Sequence, residues 1–234
     1  MILYIVRHGE PLYGPDILTE LGQKQAQALV RRFEKNGLDR IFSSPMGRAR
    51  QTAQPTADAL GLPVKIEPWM REIWPELVLT QPDGRLCFVV DMQADILRSP
   101  ENRDHYNDWY NMPALEGIEG EQVWGRVTRY SDDFLLRLGY RRLQDGVYSA
   151  EHPNEERVAV FCHAGFGVTW LAHLLGIPPH LAWASFTMTH TGVTVVQFTQ
   201  TPSGLVTPRC LCLSDMSHLL DSGLPYSYNN TLPV

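Results

Sequence analysis

Two short apolar runs each end on a histidine. Met1-Ile2-Leu3-Tyr4-Ile5-Val6 leads into Arg7-His8-Gly9-Glu10, and Val158-Ala159-Val160-Phe161-Cys162 leads into His163-Ala164-Gly165. Runs of this length, rich in β-branched residues and lacking polar alternation, predict buried strands of a parallel sheet. Elsewhere the period is helical. Thr19 is placed to cap a helix that carries Ala26, Leu29, Val30 and Phe33 and ends at Gly37. Asp39 to Ser44 predicts a second strand. Met46 to Leu60 predicts a helix stopped by Gly61, with a kink or a late start at Pro55. Pro63 to Pro68 is a third short strand. Helices are expected from near Gly120 through Leu138 and from Gly165 to Leu175. Val193–Phe198 and Leu205–Leu213 read as two strands joined by Pro202-Ser203-Gly204. Pro11–Leu18 and Gln144–Arg157 read as loops. Strands alternating with helices predict a layered α/β fold with helices on both faces.

One stretch breaks the pattern. Trp69 to about Gly120 has no clean period beyond a weak helical one at Asp91–Leu97, and it holds Trp69, Trp74, Tyr106, Trp109 and Tyr110. It is too long for a simple connection, so residues 69–120 are expected to form an insertion or lid within one domain spanning 1–234. Its aromatics either wall an organic ligand or build a satellite core. The tail from Leu224 to Val234 is turn-rich and expected to be loosely ordered.

Composition narrows the partners. A formal charge of −6 and a pI near 5.7 argue against nucleic acid and acidic membranes. An anionic ligand must then be held by a local cluster of positive groups. No basic segment precedes the first strand, and the apolar stretch from Ala164 to Ile177 is too short and interrupted for a bilayer. The expected location is cytoplasmic. Cys87, Cys162, Cys210 and Cys212 are too few for a disulfide framework, and Cys210 and Cys212 read as packing residues on one strand face. His105, His152, His173, His180 and His218 show no metal-ligand spacing. No metal and no cofactor are expected, and oligomeric state, a homodimer included, is left open.

In open α/β sheets, ligands bind beyond the carboxyl ends of the strands. Two imidazoles delivered there, one beside an arginine, suggest a phosphate site with a histidine nucleophile. Gly9 would let backbone approach a ligand. Arg48, following Ser43-Ser44-Pro45, falls in the first turn of a helix, where free N–H groups already favour an anion. Arg7 and Arg48 supply forked, permanently charged donors.

Taken together and in order, five segments resemble the histidine phosphatase superfamily, in its phosphoglycerate mutase-like branch. They are Val6–Glu10, Leu18–Ala26, Ser43–Ala53, Met70–Ile73 and Phe161–Gly165. The resemblance implies a three-layer α/β sandwich with a mostly parallel central sheet. It implies that His8 takes the phosphoryl group as phosphohistidine, that Arg7, Arg48 and His163 clamp its oxygens, and that Glu72 protonates the leaving alcohol and then activates water. Gly9, Ala164 and His190 are further expected pocket residues. Glu67 and Glu76 are rival acids.

Two departures bear on the substrate. Pro11-Leu12-Tyr13-Gly14 stands where the mutases usually carry a Trp-Asn pair, and Trp74-Pro75-Glu76-Leu77 stands where the family commonly has Gly-x-Trp-Glu-Gly. Both count against mutase activity. The leading expectation is a metal-independent phosphatase acting on a small phosphorylated metabolite. The alternatives are a phosphoglycerate-type mutase, a phosphate-recognising binding protein with weak catalysis, and a metallohydrolase.

Overall fold

In the computed structural model, which describes residues 1–80 and 84–225, the apolar runs pair as a six-stranded sheet. Its strands are β1 (Ile2–Arg7), β2 (Arg40–Ser43), β3 (Val64–Ile66), β4 (Arg157–Cys162), β5 (Val193–Gln197) and β6 (Arg209–Asp215). Their spatial order is β6-β5-β1-β4-β2-β3. β1 and β2 are parallel to β4, and β3 is parallel to β2, while β5 runs against both β1 and β6. Only β5 is reversed, so the sheet is mostly parallel.

Four long helices cover the sheet: α1 (Glu20–Asn36), α2 (Gly47–Leu60), α3 (Gly120–Arg137) and α4 (Ala164–Leu175). The period of two along β1 divides the core. Tyr4 and Val6 pack with Leu29, Phe33, Ala53 and Ala57 of α1 and α2. Leu3 and Ile5 point the other way, toward Phe134, Phe166 and Trp170 of α3 and α4. This is the layered α/β fold with helices on both faces. Thr19 caps α1 by accepting from the Gly22 N–H at 2.9 Å, and the Gly37 N–H closes its far end on Phe33 at 2.7 Å.

Several boundaries differ from expectation. α2 runs unbroken from Gly47 through Pro55, so there is no late start. Its first turn is set by Asp16, whose carboxylate accepts from the Gly47 N–H at 2.6 Å. The Pro11–Leu18 loop closes on itself as a small hairpin of Pro11–Leu12 with Ile17–Leu18. Within the Gln144–Arg157 segment, Val147–Ala150 forms a strand that pairs with Tyr140–Gln144. The expected strand Leu205–Leu213 is divided in two. Leu205–Val206 joins Val147–Ala150, and only Arg209–Asp215 reaches the main sheet. Pro208, which lacks a backbone donor, stands between the two parts.

The 69–120 stretch consists of short 3₁₀ and α turns and a hairpin, Val78–Thr80 with Leu86–Phe88. Trp69, Met70, Ile73, Leu77, Val89, Leu97, Trp109, Met112 and Leu115 are buried and join the α3/α4 core. Trp74 and Tyr106 stay at the surface. Of the tail, Leu224 packs on Ala28, Met216 and Leu219, and residues 226–234 lie outside the described residues. No helix among the described residues is long and apolar enough to cross a membrane.

Candidate active site

Strand register assembles the site. Arg7 pairs with Cys162 across β1 and β4, so the next residues, His8 and His163, leave the sheet side by side. The His8 N–H continues the ladder onto the Cys162 carbonyl at 2.9 Å, and the two rings lie 5.2 Å apart. On the other side of β4, Phe161 pairs with Ser43, which brings Ser44 level with His163. The Ser44 hydroxyl meets His163 Nε2 at 2.7 Å and accepts from the Met46 N–H at 3.3 Å. In the tautomer where Ser44 donates to Nε2, the proton of neutral His163 sits on Nδ1. Nδ1 is buried with no hydrogen-bond partner among the described residues.

His8 makes the complementary choice. Its Nδ1 lies 2.8 Å from the Gly9 carbonyl, an acceptor only, so Nδ1 carries the proton and Nε2 keeps its lone pair. Burial, aided by Arg7, Arg48 and His190, pushes its pKa well below the usual histidine range, and His163 is depressed in the same way. Arg7, His8, Arg48 and His163 are each at most 9% exposed. Two arginines and two neutral imidazoles thus share a desolvated pocket with a surplus of positive charge.

Both arginines are anchored, Arg48 also by a 3.6 Å contact of its second terminal nitrogen with the Met46 sulfur. Arg7 donates to the Met188 carbonyl at 2.7 Å, and Arg48 donates to Asp16 at 2.5 Å. The Nε atoms of both are buried without a hydrogen-bond partner among the described residues. Arg48 also lies over the Tyr13 ring, 5.3 Å from its centre, and the Tyr13 phenol lies within electrostatic reach of Arg7.

Glu72 reaches the pocket from the 69–120 segment. Its carboxylate accepts from the Gly165 and Phe166 N–H groups at 3.2 and 2.7 Å, in the first turn of α4, and from its neighbour Ile73 at 3.0 Å. Burial outweighs these amides and Arg7, so its pKa is raised above the ordinary carboxylate value. The rival acids are committed elsewhere. Glu67 accepts from Arg137 at 2.8 Å and from the Trp69 indole at 3.0 Å, while Glu76 binds Arg71 and Arg126.

His190 stacks 5.7 Å from His8. Burial and Arg7 push its pKa down to about 4, and its Nε2 has no hydrogen-bond partner among the described residues. Thr191 holds it there with a backbone φ of 55°, its N–H on the Arg7 and His8 carbonyls at 3.1 and 3.2 Å. Ala164 opens α4 beside Glu72's amide partners.

Gly9 gives its N–H to Thr52 at 2.9 Å, and a Cβ on it would sit 2.7 Å from the Gly22 carbonyl, so the glycine serves close packing of β1's end against α1. Sequence reasoning passed over Tyr13, Asp16, Ser44 and Thr52 as functional positions. Only Ser44 carried a signal, through its place after a strand that could pair with the His163 strand.

The arrangement can bind a tetrahedral dianion, present an imidazole lone pair to it, and offer at one side a carboxyl whose pKa is raised. Comparisons with known proteins give the family and the fold. A family model described as histidine phosphatase superfamily (branch 1) matches residues 3–83 and 89–209. A Yersinia pestis (strain Pestoides F) protein named probable phosphoglycerate mutase GpmB is 39% identical over 188 residues, 76% of each chain. Among solved structures, the Entamoeba histolytica phosphoserine phosphatase in complex with 3-phosphoglyceric acid superposes with a TM-score of 0.60 at 22% identity. That match covers 93% of this chain and 98% of that one. A mycobacterial glucosyl-3-phosphoglycerate phosphatase with inorganic phosphate gives 0.60 at 21%, with the same coverage. At these identities the structural likeness speaks to the fold.

Proposed function

Because the chain belongs to the histidine phosphatase superfamily, branch 1, we propose that it hydrolyses a small phosphomonoester through a phosphohistidine on His8, with Glu72 as general acid and base. The observation that carries this reading is the pairing of opposite protonation states around Arg7. His8 is held neutral with Nε2 free, and Glu72 is held toward its protonated form. A site built only to bind phosphate needs neither.

In the first step Nε2 attacks phosphorus while the bond to the leaving oxygen breaks and Glu72 hands that oxygen its proton. Arg7, Arg48 and the Nδ1–H of His163 neutralise the equatorial oxygens, and His190 lies on the far side of His8 from His163's strand. In the second step the Glu72 carboxylate takes a proton from water, whose oxygen attacks phosphorus and releases His8. The water-excluding burial of the pocket strengthens every one of these charge contacts.

The test is phosphate release from a panel of phosphorylated metabolites in EDTA, with His8→Ala beside wild type. Release by wild type alone, with an acid-labile, base-stable phosphoprotein trapped by rapid mixing, is the expected result. Wild-type turnover in His8→Ala overturns the mechanism, and abolition by EDTA moves the chain to metallohydrolase chemistry.

A second reading, phosphoglycerate-type mutase, draws on the 39% identical relative's name. The short Pro11–Leu18 hairpin and the Trp74-Pro75-Glu76-Leu77 segment weigh against it. Stimulation of 3-phosphoglycerate isomerisation by 2,3-bisphosphoglycerate, without phosphate release, would establish it. The proposed setting is cytoplasmic.

A further inference from the structure

If Glu72 protonates the leaving alcohol, as the phosphatase reading requires, the groups bordering Glu72 choose that alcohol, and the choice they make rests on that reading. The border is aromatic. A Cβ built on Gly165 would stand 2.5 Å from the Phe88 ring and 2.8 Å from Glu72 Oε1, which places the ring edge and the carboxyl at the same glycine. Phe88 meets Trp74 edge to face at 5.5 Å, and Trp74 is 45% exposed although only two residues from Glu72. On the side of the arginines stands Tyr13, 64% exposed, its ring under Arg48 and its phenol within electrostatic reach of Arg7. Large rings left open beside a buried ionic pocket form a surface suited to a flat apolar group.

The charges at this border have the wrong sign for a second anion. Asp91, exposed three residues beyond Phe88, lies within electrostatic reach of Arg7, and Asp16 pairs with Arg48. Arg126, which feels Glu72, is already held by the Trp69 carbonyl at 3.0 Å and by Glu76 at 3.4 Å. Arg71 also pairs with Glu76.

We propose that the leaving-group subsite, walled by Phe88, Trp74 and Tyr13, takes an alcohol carrying an uncharged aryl or heteroaryl group. It disfavours an alcohol bearing a carboxylate or a second phosphate. The experiment compares kcat/KM for benzyl phosphate, glycerol 3-phosphate and 3-phosphoglycerate, three esters of alkyl alcohols that differ in what the alcohol carries. Wild type should prefer benzyl phosphate to glycerol 3-phosphate by on the order of tenfold or more, with 3-phosphoglycerate last. Trp74→Ala, at an exposed position, should erase most of that benzyl preference. Phe88→Leu, which keeps apolar volume, should reduce it. A preference for 3-phosphoglycerate, or a benzyl preference that survives both variants, overturns the subsite while leaving the phosphatase reading intact. Turnover of none of the three, nor of any ester in the wider panel, overturns both.

Discussion

The two ends of α4 each hold a fully buried histidine, and the pair shows what separates a working residue from a structural one. His163 enters the helix at its N-terminal end and His173 lies in its last turn. Both have pKa values depressed chiefly by burial, both engage Nε2, and both leave Nδ1 without a hydrogen-bond partner among the described residues. Their surroundings differ in sign. His163 has a hydroxyl on Nε2 and is crowded by His8, Arg48 and Arg7, all of which oppose its protonation. His173 has the Asp132 carboxylate on Nε2 at 2.9 Å and the edge of Trp124 across its ring at 5.6 Å. Burial alone therefore does not mark a functional histidine. Charged neighbours that all oppose protonation, with no carboxylate on the ring itself, do, because such crowding costs stability unless an anion enters.

The largest effects should fall at the N-terminal end. Glu72→Gln is expected to lower kcat by roughly 10²–10⁴, the usual worth of a positioned acid and base. The wild-type rate should fall as pH rises through the Glu72 pKa, which lies above the ordinary carboxylate value, because only the protonated form can donate to the leaving oxygen. In the variant that limb should vanish from the profile of kcat. Next comes His163→Asn, with an expected loss of roughly 10²–10³ in kcat, as for removal of one donor from a developing anion. Thermal unfolding of the same variant should shift by only a few degrees, since the change also relieves crowding among Arg7, Arg48 and His8. A loss of Tm without loss of rate would reverse the assignment of the two ends.

This contrast was half legible in the sequence. The β1 and β4 runs were visible as apolar stretches, and each histidine was visible at a strand's end. Parallel pairing then makes their adjacency a matter of register. The Ser44 contact follows from the same ladder one strand further. Less legible was everything carried by contacts between distant segments. Phe88 against Gly165, and Arg126 on the Trp69 carbonyl, join parts of the chain that no local period connects. The Tyr140–Ala150 hairpin did carry a signal, the Asp145-Gly146 dipeptide at its two-residue turn, but polar residues on its exposed face masked the alternation. Asp16 could not be anticipated, because its role at the start of α2 depends on how a short hairpin folds back.

At the C-terminal end the expected effects are on stability. His173→Ala should leave kcat near wild type and cost about 2 kcal/mol, or roughly 4–8 °C in Tm, through the emptied space beside Trp124 and the unpaired Asp132.

The smallest and most diagnostic effect concerns Asp132→Asn. The folded pKa of His173 lies below the unfolded value near 6.5, since burial outweighs the carboxylate. Above that unfolded value neither state takes up the proton and stability is at its plateau. As pH falls below it, the unfolded chain gains protons that the folded one refuses, and stability is lost down to the folded pKa. Removing the Asp132 carboxylate takes away the one influence at Nε2 that favours protonation, so the folded pKa drops further and the loss extends to lower pH. The drop in unfolding free energy between pH 7 and pH 5 should therefore be steeper in the variant than in wild type, by on the order of 0.5 kcal/mol. Taking the difference between two pH values cancels any pH-independent cost of the substitution, including the weakened contact with Arg142 at 3.7 Å. Equal slopes in the two proteins would mean that Asp132 does not govern His173, and the distinction drawn between the ends of α4 would then rest on the N-terminal cluster alone.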